Sequence, residues 1–325
     1  MTLLTDQQIQ SFLINGFISI ETKLDKSFHD KIYEDVSKVI SKEGNPGNNI
    51  YPRVKDLLKV YEDDNIKGAI TSILGGDYIM QPHRFTHITK PGTKDQLWHK
   101  DSYFGFKKEL RYNQPWNVMA MYYPQDTTQH MGPTAIKPKT QYGMIDPKRC
   151  PKEIHNQHSK SSPSDIFFNC KAGSVLIIHY DLVHRGTQYA AGTGPQRLMF
   201  KFQFTRTKAP IGPTWNHNQE QRDWDAKDAK ELQPVVKCMW DWMLGETPIN
   251  NKDAPMKKLK AILNNSKFEE ERLGAAYQFA CSGDINCLLD IIQSKNNVEH
   301  KQGACSCFSQ HVPLIQIVLF KLLTP

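Results

Sequence analysis

Apolar and polar positions change their period twice along the chain. Near the start, Ile9, Phe12 and Leu13 recur at helical spacing. Thr5 can cap that helix, Gln8 three positions on completes a capping box, and Leu4 and Ile9 fall at the staple positions. Gly16 ends the helix, and Phe17-Ile18-Ser19-Ile20 leaves it as a strand. Two further helical segments are predicted around 27–42 and 65–74. The period then shortens: β-branched and aromatic residues fill 78–89, 117–123, 174–180 and 197–205, separated by Pro, Gly, Asn and Asp. Short strands without regularly alternating helices predict an all-β sandwich or barrel rather than a doubly wound sheet.

Past residue 206 the helical period returns. A Pro-rich connector, APIGPTW, leads to PVVKCMWDWMLG, where Val236, Met239, Trp240, Met243 and Leu244 form one stripe, read as a packing face. The final stretch looks separately built. RLGAAYQFACSGDINCLLDII reads as two short helices, with Leu273, Ala276, Tyr277 and Ala280 on one stripe, Gly283 ending the first and Asp284 capping the second. The pattern returns in KQGACSCFSQHVPLIQIVLF, where Gly303 and Ala304 fall on Gly274 and Ala275, and on these few identities it resembles HEAT-type helical repeats. The expected division is a β-domain over 1–250 and a helical, HEAT-like segment over 251–325, the latter a possible docking point for a protein partner.

Composition narrows the class. With 325 residues, 39% hydrophobic and 23% charged, the chain can build one large core plus an appendage. The net charge of +7 is scattered without blocks of like sign, so no nucleic-acid partner is expected. Seven cysteines, an odd count without a C-x-x-C pair, suit a reducing compartment. The stretch MTLLTDQQIQ lacks the basic start and apolar core of a secretory signal. The apolar run 313–325 is broken by Gln316 and Lys321 and is too short to span a bilayer, and LLTP is no peroxisomal signal. A soluble, cytoplasmic protein is expected.

The candidate chemistry lies in QLWHKDSYFGF. On a strand, His99 and Asp101 project to one face while Lys100 points away, so both can reach one metal ion. The alternative for an H-x-D tripeptide alone is a salt-bridged strand end. A facial-triad iron site needs a second histidine from elsewhere, leaving positions for a bidentate co-substrate and dioxygen. AGSVLIIHYDLVHRGTQ offers His179 and His184. Arg197, opening the next apolar strand, RLMFKFQF, follows His184 and favours it: a planar fork of donors can hold the far carboxylate of a dicarboxylic acid.

Together, WHKD, AGSVLIIHYDLVHRGT and Arg197 resemble the phytanoyl-CoA dioxygenase family of Fe(II)- and 2-oxoglutarate-dependent oxygenases. LTDQQIQSFLINGFISI looks like that family's first helix and strand, and YYPQDTTQHMGPTAIKPKTQY is similar to its Asn-Gly-Pro segment and Pro-Gly-Ser-His turn. The resemblance implies a mainly β fold with flanking helices, a double-stranded β-helix (jelly-roll, cupin-like) core. It implies His99, Asp101 and His184 as iron ligands and Arg197 as the clamp on 2-oxoglutarate. Thr187 could add a hydroxyl near that carboxylate, and Thr86 is expected to face the same pocket. The implied reaction consumes O2 and 2-oxoglutarate, releases succinate and CO2, and hydroxylates an aliphatic C–H of a small organic or lipid-like substrate. An intact Asp101 favours hydroxylation over halogenation, since related halogenases carry a small residue there. Three positions depart from the family: Met131 stands in place of Asn, and Lys139 and Gln141 replace the Gly and His of the turn.

Two other readings compete. A catalytically silent β-helix acting as a scaffold through its helical tail would have lost a member of the set, yet all four residues are present. A hydrolase or epimerase on another divalent metal has no use for the distal arginine, and zinc would prefer more His and Cys. His83 and His87 can both aim at the cavity by alternation, or serve as hydrogen-bonded sheet histidines. Tyr103, Phe104 and Phe106 are candidates for the substrate mouth, with Lys100, Lys107, Lys108 and Arg111 available for an acyl-CoA. Cys305 and Cys307 lack partner ligands.

Overall fold

The computed structural model describes residues 1–101, 113–143, 160–192, 194–221, 224, 226–246 and 255–282. The chain opens with α1 (Asp6–Asn15), whose capping box is formed: the Thr5 hydroxyl accepts from the Gln8 N–H, and the Gln8 side chain accepts from the Thr5 N–H. Gly16 turns left-handed at φ 81°, its N–H donating to the Phe12 carbonyl, and the chain leaves as β1 (Phe17–Glu21). Next come α2 (Lys26–Glu43), the short helices α3 (Ile50–Arg53) and α4 (Leu57–Glu62), and α5 (Asp64–Leu74).

The β-core follows: β2 (Ile79–Thr89), β3 (Asn117–Tyr122), β4 (Thr134–Ile136), β5 (Ile166–Phe167), β6 (Ser174–His179), β7 (His184–Gly186) and β8 (Arg197–Thr205). Five strands form one antiparallel sheet in the order β1-β6-β3-β8-β2, and three short ones form a second in the order β5-β4-β7. This is the double-stranded β-helix expected from the sequence. The long strands coincide with the predicted stretches, whereas β4, β5 and β7 have too few residues to display a period. Pro82 lies in β2, an edge strand, where the register shifts between Met80 and Arg84, a position that tolerates the missing N–H.

Strands β3, β6 and β8 are buried on both faces, and parity divides their side chains. Val118, Ala120, Val175, Ile177, Leu198, Phe200, Phe202 and Phe204 pack under the helices, in one cluster with Ile9 and Phe12 of α1, Val36 of α2 and Ile70 of α5. Met119, Met121, Leu176, Ile178 and Met199 take the other parity, facing Ile136 and Phe168 of the small-sheet side. Burying a large apolar side chain on either face contributes roughly 1.5–3 kcal/mol, so a one-residue slip of β8 would forfeit several such terms.

The helices α6 (Gln233–Met243), α7 (Met256–Asn265) and α8 (Glu269–Ser282) complete the described chain. In α6 the stripe Val236, Met239, Trp240 and Met243 is buried as predicted. Leu273, Ala276 and Tyr277 of α8 join the same apolar cluster, and Asn113 donates a buried 2.9 Å hydrogen bond to the Tyr277 hydroxyl. Gly283, Asp284 and the second copy of the helical pattern lie outside the described residues. No helix among the described residues is long and apolar enough to cross a membrane.

Helix α5 approaches the N-terminus so closely that a Cβ on Gly68 would sit on the carbonyl oxygen of Thr2, which is backbone and cannot swing away. Gly68→Ala is expected to destabilise by about 1–3 kcal/mol in urea denaturation. Gly76→Ala, where a Cβ meets nothing within 4 Å, should stay within about 0.5 kcal/mol of the parent.

Candidate active site

Strand β7 supplies the first group. It pairs with β4, placing His184 opposite Ile136, and on its other edge, where Gly186 meets Gln96, His184 bridges to one residue of another segment. That residue is His99: its N–H donates to the His184 carbonyl at 3.1 Å and its carbonyl accepts from the His184 N–H at 3.0 Å. The backbone pair brings the two imidazoles to 4.6 Å between ring centroids. Each ring then donates Nδ1–H to a carbonyl two residues back, His99 to Leu97 at 2.8 Å and His184 to Leu182 at 3.0 Å. A carbonyl only accepts, so Nδ1 carries a proton in both rings and Nε2 is the ring nitrogen left to face a metal.

Alternation around His99 behaves as the sequence suggested. Lys100 turns away from His99 and is buried, its ammonium donating to the carbonyls of Thr140 at 2.8 Å and Gly143 at 2.5 Å. Trp98 is buried between Lys137 and Arg185, whose cationic ends lie 4.3 and 4.6 Å from its ring centroid. Asp101 returns to the His99 face, with Oδ1 3.8 Å from His99 Nε2. Its Oδ2 accepts from Lys201 Nζ at 2.6 Å.

The donor atoms of His99, Asp101 and His184 all lie within 4.8 Å of one another, the one such trio of His, Cys or acidic groups among the described residues. Their ionisation suits metal binding. Burial pushes the His184 pKa down to about 4, so the ring is neutral at neutral pH. Burial alone would raise that of Asp101, but the Lys201 ammonium, His184 and the hydrogen bond from Lys201 outweigh it and hold the carboxyl well below the usual carboxylate range. Two imidazoles and a carboxylate form the donor set of a facial triad.

The trio opens into a cavity of ≈ 210 Å³ whose walls include His87, Thr89, Met121, Thr187, Arg197 and Lys201. A wider groove of ≈ 410 Å³ lies along Lys139, Lys230 and Glu269 but contains none of the trio. Arg197 is 2% exposed, and its Nη2 donates to the Thr89 hydroxyl at 2.5 Å. Its Nε and Nη1 are buried without a partner. Such orphaned donors are costly in a protein interior, and a carboxylate in the cavity would satisfy them. Burial lowers the Arg197 pKa, yet from so high a value that the guanidinium stays charged.

The other predicted residues divide. Thr187 lines the cavity, but its hydroxyl proton is committed to the Pro133 carbonyl at 2.6 Å. That contact depends on Gly132, at φ 69°, where a Cβ would lie 2.6 Å from the Thr187 carbonyl oxygen. Thr86 requires a correction. It pairs across the ladder with Phe200 and so faces the helices, its hydroxyl buried without a partner; Thr89, opposite Arg197, is the cavity-facing threonine of β2. His87 shares Thr89's parity and lines the cavity, with Nε2 buried and unpartnered and its pKa pushed down to about 3 by burial and then by Lys201 and Arg197. His83 stacks on Phe85 at 6.2 Å and is not a wall residue. His179 is turned elsewhere, its Nδ1 accepting from the Asp181 N–H at 3.1 Å. Tyr103, Phe104, Phe106, Lys107, Lys108, Arg111, Cys305 and Cys307 lie outside the described residues.

The three departures from the family pattern have structural roles. Met131 bridges to Tyr189. Lys139, at the position of the turn glycine, adopts a left-handed φ of 69° and donates to the Asp228 carbonyl at 2.7 Å. Gln141 donates to the carbonyls of Leu13 and Ile14 at the end of α1. Lys201 carries no motif of its own in the sequence, although it stands four residues after Arg197 on a strand and therefore shares its face.

A jelly-roll carrying this donor set beside a buried arginine defines an oxygenase of the iron- and 2-oxoglutarate-dependent type. Residues 15–192 match the family model described as phytanoyl-CoA dioxygenase (PhyH), more than half of the chain, and the chain belongs to that family. Among solved structures, EctD from S. alaskensis with bound Fe shares the fold at a TM-score of 0.52 and 11% identity, over 63% of this chain and 77% of that one. HygX from Streptomyces hygroscopicus with nickel, 2-oxoglutarate and hygromycin B bound matches at 0.49 and 14%, over 65% and 90% of the two chains. AviO1 from Streptomyces viridochromogenes Tue57 matches at 0.47 and 15%, over 66% and 100%. No curated protein matches the sequence.

The two threonines of β2 should separate experimentally. Thr86→Val removes an unpartnered buried hydroxyl and is expected to raise stability by about 1 kcal/mol in chemical denaturation. Thr89→Val strands a third nitrogen of Arg197 and is expected to cost about 1–3 kcal/mol in the same assay.

Proposed function

We propose that the protein binds Fe(II) through His99, Asp101 and His184, binds 2-oxoglutarate through Arg197, and hydroxylates an aliphatic C–H of a small organic or lipid-like substrate. The observation that carries this reading is the coexistence, in one cavity, of a three-donor trio and an arginine with two unpartnered buried nitrogens. When bound, the iron and the oxo acid supply the oxidising chemistry, consuming O2 and releasing succinate and CO2.

The protein's own residues bind, orient and exclude water. His99, Asp101 and His184 would hold the ion, which would supply further positions for exchangeable ligands. Thr89 orients the Arg197 fork, and Arg197 grips the far carboxylate of the oxo acid. Asp101 supplies a carboxylate donor at the ligand position, which favours return of hydroxyl over capture of a halide. Below the roughly 300–1,000 Å³ of common ligand pockets, the ≈ 210 Å³ cavity suits the co-substrate and the reacting end of a substrate more than a whole large molecule. The segment 251–325 is proposed as a helical appendage that could dock a protein partner.

The first test is anaerobic. Metal-free protein given Fe(II) and then 2-oxoglutarate is expected to develop the weak visible band of the chelated oxo acid. His99→Ala should abolish the band, and Arg197→Gln should demand about 10- to 100-fold more 2-oxoglutarate, the loss of charged hydrogen bonds. Iron-loaded parent protein without a band at any 2-oxoglutarate concentration would defeat the proposal. Where the band forms, succinate release identifies substrates.

A further inference from the structure

Resting on the iron-site reading above, the geometry points to Lys201 as a positioning residue that fixes Asp101 as a one-oxygen metal ligand. The two carboxylate oxygens of Asp101 have different surroundings. Oδ1 is the oxygen near His99 Nε2, at 3.8 Å, and so faces the trio. Oδ2 is held by Lys201 Nζ at 2.6 Å. A carboxylate left to itself can give a metal one oxygen or both. With a charge-assisted hydrogen bond on Oδ2, the second mode requires breaking the ion pair between Asp101 and Lys201.

The lysine is well placed to hold this arrangement. It is 7% exposed and lies on β8 between two hydrogen-bonded neighbours, opposite Phe85 of β2 and Met121 of β3. Its stem is therefore confined by the sheet, and its ammonium would be a stranded buried charge without Asp101. Arg197 stands on the same face four residues earlier, roughly 13 Å along the strand. One face of β8 thus presents two cations with separate tasks, the first for the co-substrate's far carboxylate and the second for the ligand carboxylate. Two consequences follow for a metal-loaded site. Asp101 would give the ion one oxygen, Oδ1, and keep Oδ2 on Lys201. The Lys201 charge also offsets that of Asp101, which strengthens the hold on a dianionic oxo acid.

Cobalt(II) reads the coordination directly, because its visible spectrum responds to ligand number without turnover. Parent, Lys201→Met, Lys201→Arg and, as a control for net charge, the exposed Lys42→Met are each titrated with Co(II) and then 2-oxoglutarate. Lys201→Met is expected to shift the Co(II) spectrum toward that of a higher-coordinate site and to need about ten-fold more 2-oxoglutarate. Lys201→Arg should restore both, and Lys42→Met should match the parent in both. Folded Lys201→Met with the parent's spectrum and the parent's 2-oxoglutarate requirement overturns the clamp. If Lys201→Met does not fold, Lys201→Gln decides: its amide still donates to Oδ2, so the spectrum should stay as in the parent while the 2-oxoglutarate requirement rises, and no rise overturns the role of the charge. Parent protein that takes up no Co(II) overturns the iron-site reading itself, and the clamp with it, a result distinct from a silent Lys201 variant.

Discussion

The burial of β8 on both faces is the constraint on which the site depends. A strand between two neighbours, with helices on one side and a second sheet on the other, must place an apolar residue at every position that meets the helices. Leu198, Phe200, Phe202 and Phe204 meet that demand. The positions between them are then free to carry Arg197, Met199, Lys201 and Gln203 into the cavity side at fixed spacing. Polar groups in such a place are held by the packing behind them, so their precision derives from phenylalanines that never meet a ligand.

A second element of order comes from backbone rather than side chains. His99 and His184 belong to segments far apart in sequence, and reciprocal main-chain hydrogen bonds set them side by side. Each ring is then oriented by a carbonyl of its own segment. Asp101 needs a longer-range partner, which Lys201 supplies. The trio thus draws on three kinds of support: a strand bridge, local ring-to-backbone bonds and a buried ion pair.

Much of this was legible in the sequence, for stated reasons. The capping box at Thr5 and Gln8 is a local signal, and local signals survive folding. Long strands announce themselves by composition, and the trio of His99, Asp101 and His184 by the pairing of an H-x-D tripeptide with a later histidine and arginine. The three-residue strand β7 has no period to read, although it carries His184. Thr86 was misplaced because register decides parity, and register is fixed by the partner strand rather than by β2 itself. Lys201 hid in an apolar run, where a lone lysine resembles an interruption until the strand's parity is counted from Arg197. The helical tail is legible only as far as α8, whose stripe packs as expected.

The bridge between His99 and His184 carries a further consequence. It is an isolated bridge, and the segment bearing His99 adds to it only the bonds of Gln96, whose N–H donates to the Gly186 carbonyl and whose Oε1 accepts from the Gly186 N–H. Among the described residues a few hydrogen bonds rather than a long ladder thus join it to β7. An ion held by both rings would act as a removable cross-link, closing a long loop of chain in the manner of a disulfide but set by free metal concentration. Local opening of that edge and release of the ion are then one equilibrium viewed from two sides. Whatever loosens the edge lowers metal affinity by the same free energy by which the metal steadies the edge.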